Sequence, residues 1–453
     1  MKDSDNILTV IPASRRVRLL LGEGRGGEGP LVWTSFLLRQ PTQTGLLLYH
    51  TMTLELLFVP KELLSALENP AGELRETLRK KWFLVPPDLD EHGAARDLRQ
   101  TLRAMEPPAD RLEKFTVFTT TACNARCFYC FEQSWQTRTM TPETADKAAD
   151  FMLAKSGGRP FRIDWFGGEP LVNLRVIDRI SQRLTDAGAD FVSYMVTNGY
   201  LFDGAVIERA VRLWKLRQAD ITLDGVGETY DRIKAYKTGG EGAFERVTGN
   251  IAALAAAGVR VNIRMNFDLY NLSEIEKLAD WLIDRFAGTP GITAYPIPLN
   301  EDPDDPAAWR SEDDRARLCA AELALRDRLE AAGLRRSLPL GREPETNMCM
   351  ADSGCMVTIL PDGQLGLCEN YDHSGFIGSL DAPGPDETVL AEMRELRDEI
   401  PACADCPLFP GCIRLRKCPN QICYPQRRQV KEEIKKRSML TEWNRYEQRR
   451  NQA

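Results

Sequence analysis

From residue 115 onward short apolar runs alternate with amphipathic helical stretches, a pattern that builds βα units around a parallel sheet. Strands are expected at 115–120, 161–166, 191–197, 219–223, 259–265 and 292–296. Helices at 144–155, 171–187, 243–257 and 273–286 carry apolar residues three and four apart, and a further helix is expected over 313–332. Six units fall short of the eight that close a full barrel. The expected core is therefore α/β, a partial (β/α)6 TIM-like barrel with its site in the loops after the strand C-termini.

Cysteine placement is the second constraint. Of 12 cysteines, three lie at 123, 127 and 130, one at 319, and eight between 349 and 423. Such clusters in a large chain whose N-terminus, MKDSDNILTV, lacks the apolar core of an export signal point to metal or redox chemistry instead of disulfides. A cytoplasmic protein is expected. No uncharged apolar run approaches about 18 residues, so no membrane span is expected. A net charge of -7 opposes nonspecific binding to nucleic acid. With only His50, His92 and His373, a multi-histidine metal site or a histidine-based triad is excluded.

The stretch Thr121-Ala122-Cys123-Asn124-Ala125-Arg126-Cys127-Phe128-Tyr129-Cys130 puts three thiols in the loop after the first barrel strand. Three thiolates on a four-iron cubane leave one iron open to a substrate or cofactor. Spacing alone leaves a zinc loop with a distant fourth ligand equally open. After the second strand comes Gly167-Gly168-Glu169-Pro170, alone a turn, or glycines that allow close backbone approach beside an acid able to hold an ammonium group. Thr197-Asn198-Gly199 ends the third strand, and Thr222-Leu223-Asp224-Gly225 the fourth.

Four such strings on consecutive βα units resemble the radical S-adenosylmethionine (SAM) superfamily, over about residues 112–320. The resemblance implies a [4Fe-4S] cluster on Cys123, Cys127 and Cys130, its open iron bound by the amino and carboxylate groups of SAM. It also implies that Tyr129 belongs to the cofactor motif, that Gly167, Gly168 and Glu169 meet the methionyl amine, and that Thr197, Asn198, Thr222 and Asp224 make ribose and methionyl contacts. Arg264 on the fifth strand is a candidate for the cofactor carboxylate, or an interior arginine paired with a barrel acid. No catalytic base is singled out.

Cys349, Cys355 and Cys368 are spaced CX5CX12C around a Pro361-Asp362-Gly363 turn, and Cys403, Cys406, Cys412, Cys418 and Cys423 read CX2CX5CX5CX4C. Eight thiols could fill two closed sites, and a pair of zinc ribbons is the alternative to iron. The pattern resembles the SPASM extension of radical SAM enzymes, which carries two auxiliary [4Fe-4S] clusters. By that resemblance Cys349, Cys355, Cys368 and Cys418 serve the first, and Cys403, Cys406, Cys412 and Cys423 the second, three clusters in all. The gap after Cys412 departs from the common spacing of three, and the last cysteine comes early. Cys319, on a helical stripe, reads as a small buried apolar residue.

The division expected is 1–110, a small α+β domain; 111–335, the barrel; 336–426, the cysteine-rich domain; and 427–453, a charged solvated helical tail. Within the first, strands are expected at 16–21, 31–38 and 46–58, a helix over 61–81 and an acidic stretch at 86–91. That domain resembles the winged-helix RiPP recognition element, in which a leader peptide adds to a sheet edge, or else merely covers the barrel bottom. The resemblance as a whole implies a maturase of a ribosomally made precursor peptide that installs a thioether or related crosslink, with a flavodoxin or ferredoxin as electron donor. Anaerobic sulfatase maturation to formylglycine, or another peptide oxidation, shares the cofactor machinery. A non-catalytic iron-sulfur or zinc module is the reading from a different class, and it gives no reason for an amine-binding Gly167–Pro170 loop.

Overall fold

The computed structural model describes residues 7–24, 29–106, 110–130, 132, 136–299, 301, 310–346, 350–369, 376–382, 386–412, 415, 416, 418 and 423–452. Cys349 and His373 lie outside the described residues.

The chain opens with β1 (Leu8–Ile11), α1 (Arg15–Leu21), β2 (Val32–Trp33), β3 (Leu37–Pro41), β4 (Gly45–His50), β5 (Glu55–Pro60), α2 (Gly72–Lys80), β6 (Leu84–Val85) and α3 (Glu91–Ala104). Strands β1, β5, β4 and β3 form an antiparallel sheet in that order, and β2 pairs with β6. Four expectations need correction. The run 31–38 is not one strand but is broken at 34–36, so that β2 and β3 belong to different sheets. Residues 16–21 are helix α1, because the Ser14 hydroxyl caps the Val17 N–H and Gly22, at φ +69°, ends the turn. The run 46–58 is a hairpin, β4–β5, and not one strand. Residues 61–81 hold two short 3-10 turns before α2, and α3 follows unforeseen.

His50 fixes the β4–β5 turn. Fully buried, its Nδ1 accepts from the Met52 and Thr53 N–H groups at 3.2 and 3.3 Å, while Nε2 lies 3.0 Å from the Trp82 carbonyl. That arrangement needs a neutral ring, and burial pushes the His50 pKa down to about 4. Folded His50 thus binds protons less readily than in the unfolded chain, where its pKa is about 6.5. The stability it contributes is complete above that value and fades as pH falls toward 4. Between pH 7 and pH 5 the loss should be about 2 kcal/mol. Urea titrations at the two pH values should show this loss in the wild type and not in His50→Gln. Parallel curves would remove histidine titration as the cause.

The main sheet is parallel. Strands β7 (Lys114–Thr120), β8 (Phe161–Gly167), β9 (Phe191–Thr197), β10 (Leu216–Thr222), β11 (Arg260–Phe267) and β12 (Ile292–Pro298) lie side by side in chain order. Along β9 every second residue is buried, and the outer faces are covered by helices α4 (Pro142–Lys155), α5 (Leu174–Asp186), α6 (Gly204–Arg212), α7 (Gly227–Lys234), α8 (Ala243–Ala256), α9 (Leu272–Phe286) and α10 (Glu312–Ala331). Helix starts are set locally: Thr141 and Ser311 cap α4 and α10, with Pro142 in the first turn of one and Glu312, Asp313 and Asp314 in the first turn of the other. Helices α6 and α7 were not expected.

The sheet does not stop at β7. After α11 (Met350–Ser353), β13 (Met356–Ile359) pairs in parallel with β7, Met356 opposite Lys114, and β14 (Gln364–Gly366) and β15 (Phe376–Ser379) continue antiparallel. Pro361-Asp362-Gly363 is the β13–β14 turn, with Gly363 at φ +83° and Asp362 paired to Arg138. Helix α12 (Glu387–Met393) precedes the last cysteines, and α13 (Pro425–Gln452) follows them.

The tail is not a solvated helix. Val430, Met439 and Trp443 of α13 are buried, and Trp443 stacks on Phe58 of the first sheet at 3.9 Å. Its charged face is partly engaged too: Arg427 just inside its start pairs with the fully buried Glu322 of α10, and Arg437 with Asp327. Among the described residues no helix is long and apolar enough to cross a membrane.

Candidate active site

The three-cysteine loop leaves the C-terminal end of β7 and is braced on two sides. On one, Gly168 N–H donates to the Thr120 carbonyl at 3.1 Å and Glu169 N–H to Ala122 at 3.0 Å. On the other, Arg126 N–H donates to the Lys234 carbonyl and Lys237 N–H to that of Asn124, both at 2.8 Å. Only glycines permit the first brace. A Cβ on Gly167, at φ +123°, would lie 2.1 Å from the Thr120 oxygen, and one on Gly168 2.6 Å from the Thr121 and Ala122 oxygens.

Cys123, Cys127 and Cys130 are half-buried. Burial pushes the Cys123 thiol up to about 12 and raises that of Cys130, so a metal centre there would have to displace protons on binding. Three thiols on one loop match the donor set of a cubane that keeps one iron open, each thiolate on a separate iron.

Glu169 is 1% exposed. Its carboxylate accepts from Leu171 N–H at 3.1 Å, Asn198 N–H at 2.8 Å and the Thr197 hydroxyl at 2.9 and 3.0 Å. Burial raises its pKa, and these donors pull the other way. The carboxylate thus ties the end of β8 to the end of β9. Asn198 in turn donates its side-chain amide to Asn124 Oδ1 at 2.7 Å, inside the cysteine loop.

A second polar network sits on the other side of the loop. Tyr129 OH donates to Asp224 Oδ2 at 2.6 Å, and Lys234 Nζ lies 2.8 Å from the same oxygen. Lys234 Nζ also donates to Thr222 Oγ1 at 2.6 Å and to Tyr129 OH at 3.3 Å, and Asn266 Nδ2 reaches that phenol at 3.4 Å. Asn271 Nδ2 holds the Asp224 carbonyl at 3.1 Å. Lys234 is 1% exposed and Asp224 fully buried. Burial alone would push the Lys234 ammonium down, but Asp224, Tyr129 and Cys127 outweigh it and the net direction is up. Burial raises the Tyr129 phenol, with Lys234 opposing and Asp224 adding to the shift.

Among the described residues two buried carboxylate oxygens beside the loop have no partner, Asp224 Oδ1 and Glu132 Oε2, and burial raises Glu132 to about 8. An unmet acceptor on Asp224 suits an incoming ammonium or hydroxyl. Arg264 donates Nε to Asn266 Oδ1 at 2.8 Å and so adjoins the Tyr129 network; among the described residues it forms no ion pair with a barrel acid.

The structure thus brings Tyr129, Thr222 and Asp224 together, and Gly167, Gly168, Glu169, Thr197 and Asn198 together, on two flanks of one loop. Lys234, Asn124 and Asn266 were not foreseen. Lys234 ends a polar helix and reads as a solvated charge, although its setting between Tyr230 and Tyr236 was a usable hint.

The later cysteines fall into two neighbourhoods. The Cys355 carbonyl accepts from Glu113 and Lys114 N–H at the head of β7, and Cys418 packs against the main barrel core. Cys403 and Cys406 instead pack with Phe409 against α3 and the first domain. Burial raises Cys406, and Cys412 and Cys423 are near enough to raise it further. Cys319 is buried on α10, as a small apolar residue would be.

Residues 117–282 match the model of the Radical SAM superfamily. An uncharacterized protein of Methanocaldococcus jannaschii is 26% identical over 180 residues, covering 38% of this chain and 59% of that protein. GTP 3',8-cyclase of Erythrobacter litoralis is 30% identical over 179 residues, 38% of this chain and 51% of the cyclase. The chain spans about half the length of these curated relatives. Among solved structures, native anSMEcpe with bound AdoMet aligns with a TM-score of 0.57 at 13% identity, over 74% of this chain and 99% of its own. Streptococcus suis SuiB bound to precursor peptide SuiA aligns with a TM-score of 0.52 at 12% identity, over 84% and 94%. At such identities the likeness is one of fold.

Proposed function

We propose that this chain, which carries a radical SAM domain over residues 117–282, is a peptide maturase that installs a thioether or related crosslink in a ribosomally made precursor. The observation that carries the reading is the arrangement at the strand ends: motifs from β7 to β10 gather around one cysteine loop with an unmet buried acceptor on Asp224. When bound, the cluster and SAM supply one-electron cleavage of the sulfonium and a radical able to abstract hydrogen from carbon.

The chain's own residues hold and orient. Cys123, Cys127 and Cys130 would hold the cluster, and the glycine brace would bring backbone close to the cofactor. Asp224, paired with Lys234, would accept from a cofactor hydroxyl or amine, and Arg264 would face its carboxylate. Glu169, already fully engaged, would act by shaping the β8 and β9 ends. Packing of Cys418 with the barrel and of Cys423 near Cys406 supports Cys349, Cys355, Cys368 and Cys418 as one auxiliary set and Cys403, Cys406, Cys412 and Cys423 as the other. The fold likeness to SuiB, which that structure shows bound to its precursor peptide, covers 84% of this chain and supports a peptide substrate. A flavodoxin or ferredoxin would supply the electron.

Anaerobically reconstituted protein, given SAM and dithionite, should release 5'-deoxyadenosine, and co-expression with a Cys-bearing peptide encoded nearby should lower the peptide's mass by two units per crosslink with loss of an alkylatable thiol. Cys406→Ala should spare cleavage more than product formation. Equal loss of both would defeat the division of labour between the cysteine sets, and a formylglycine product would replace the crosslink reading.

A further inference from the structure

Away from the cysteine loop, a cavity of about 520 Å³ lies at the seam of the first domain, the 338–346 connection, the Cys412 loop and α13. That volume is in the range of ligand sites. Its apolar wall comes from Met52, Leu98 and Leu102 on one side and Ile434 on the other.

Some of the polar atoms facing it are unmatched among the described residues. Tyr49 is 0% exposed and its hydroxyl has no hydrogen-bond partner among them. Arg99 lines it, stacked over Phe409 at 5.4 Å with one nitrogen donating to the Cys412 carbonyl at 2.9 Å, yet its Nε is buried and has no partner among the described residues. Lys435 makes no ion pair among the described residues; burial pushes its ammonium down, and Glu345 is near enough to pull the other way. The carboxylates of the lining, Glu343 and Glu345, are at the exposed rim, where Glu343 already accepts from Ser14 at 2.7 Å. Two half-buried cations, one with an unmet donor, call for an anion, and the apolar wall calls for aliphatic neighbours to it.

We propose that this cavity docks a short acidic, aliphatic segment of the peptide substrate, its carboxylate meeting Arg99, Lys435 and Tyr49 while its aliphatic side chains cover Leu98, Leu102 and Ile434. The inference rests on the peptide reading above and places the segment in the seam, not along a sheet edge. A docked segment would touch the Cys412 loop and the first domain at once.

The test pans a displayed library of random peptides, about a dozen residues long, against the intact iron-loaded protein. Selected peptides are then made with a fluorescein label and their affinities read by anisotropy. The consensus should pair an Asp or Glu with Leu, Ile or Val. Lys435→Gln should weaken binding at least tenfold, and so should Leu338→Glu, at a rim residue that is 71% exposed and can change without loss of the fold. Unchanged unfolding midpoints confirm that both variants are folded. A basic or purely polar consensus, or equal affinity in both variants, overturns the cavity while leaving a peptide substrate in place. Selection of no peptide, together with no mass change in any co-expressed peptide, overturns both.

Discussion

Replacing Lys234 with methionine is expected to lower the unfolding midpoint by roughly 10 °C and to weaken SAM binding by more than tenfold. Methionine fills similar space, so the loss is electrostatic. The substitution leaves the Asp224 carboxylate buried with its cation gone, and breaking a buried pair from one side costs about 3–5 kcal/mol. In a domain of this size each kcal/mol moves the midpoint by about 2–4 °C. The same change removes the donor to Thr222 and Tyr129, so the β10 end and the cysteine loop lose a shared anchor. Adding Asp224→Asn to Lys234→Met should recover much of the midpoint, because no charge is then stranded, but should leave the cofactor affinity low. Calorimetry with SAM and thermal scans separate the two effects. A double variant no more stable than Lys234→Met would sink the buried-pair account.

Cys127→Ala is expected to abolish 5'-deoxyadenosine release and to remove one cluster's share of bound iron. Changes that only disturb the surroundings of a metal ligand cost about 10- to 100-fold, and losing a ligand outright should exceed this. Cys319→Ala is the matched control: buried on α10 and assigned to neither cysteine set, it should keep its iron and its cleavage. Iron analysis and chromatography of the nucleoside read both outcomes. Full cleavage by Cys127→Ala would end the assignment of the loop.

Sequence reading located the barrel because its strands are apolar runs whose inward residues alternate, as in Phe191-Val192-Ser193-Tyr194-Met195. It placed the start of β10 three residues late, since Arg217 and Gln218 do not look like sheet. Helix α1 was read as a strand because Arg16-Val17-Arg18-Leu19 alternates, yet only Val17 of that helix is buried. The cysteine loop and its flanking motifs were legible as strings. Lys234 was not, because its burial exists only once α7 turns back beneath Tyr129, and the network it enters joins residues from two separate βα units. The buried stripe Val430, Met439 and Trp443 was hidden by the many charges between its members.

The contact between Phe58 and Trp443 sets an order on the birth of the molecule. At about 5–20 residues per second, the ribosome needs roughly twenty seconds to over a minute to travel from one ring to the other. Throughout that interval the earliest sheet is made but lacks its cover, with a greasy flank available to chaperones or to neighbouring nascent chains. A premature stop before codon 439 should therefore damage the front of the protein, not its back.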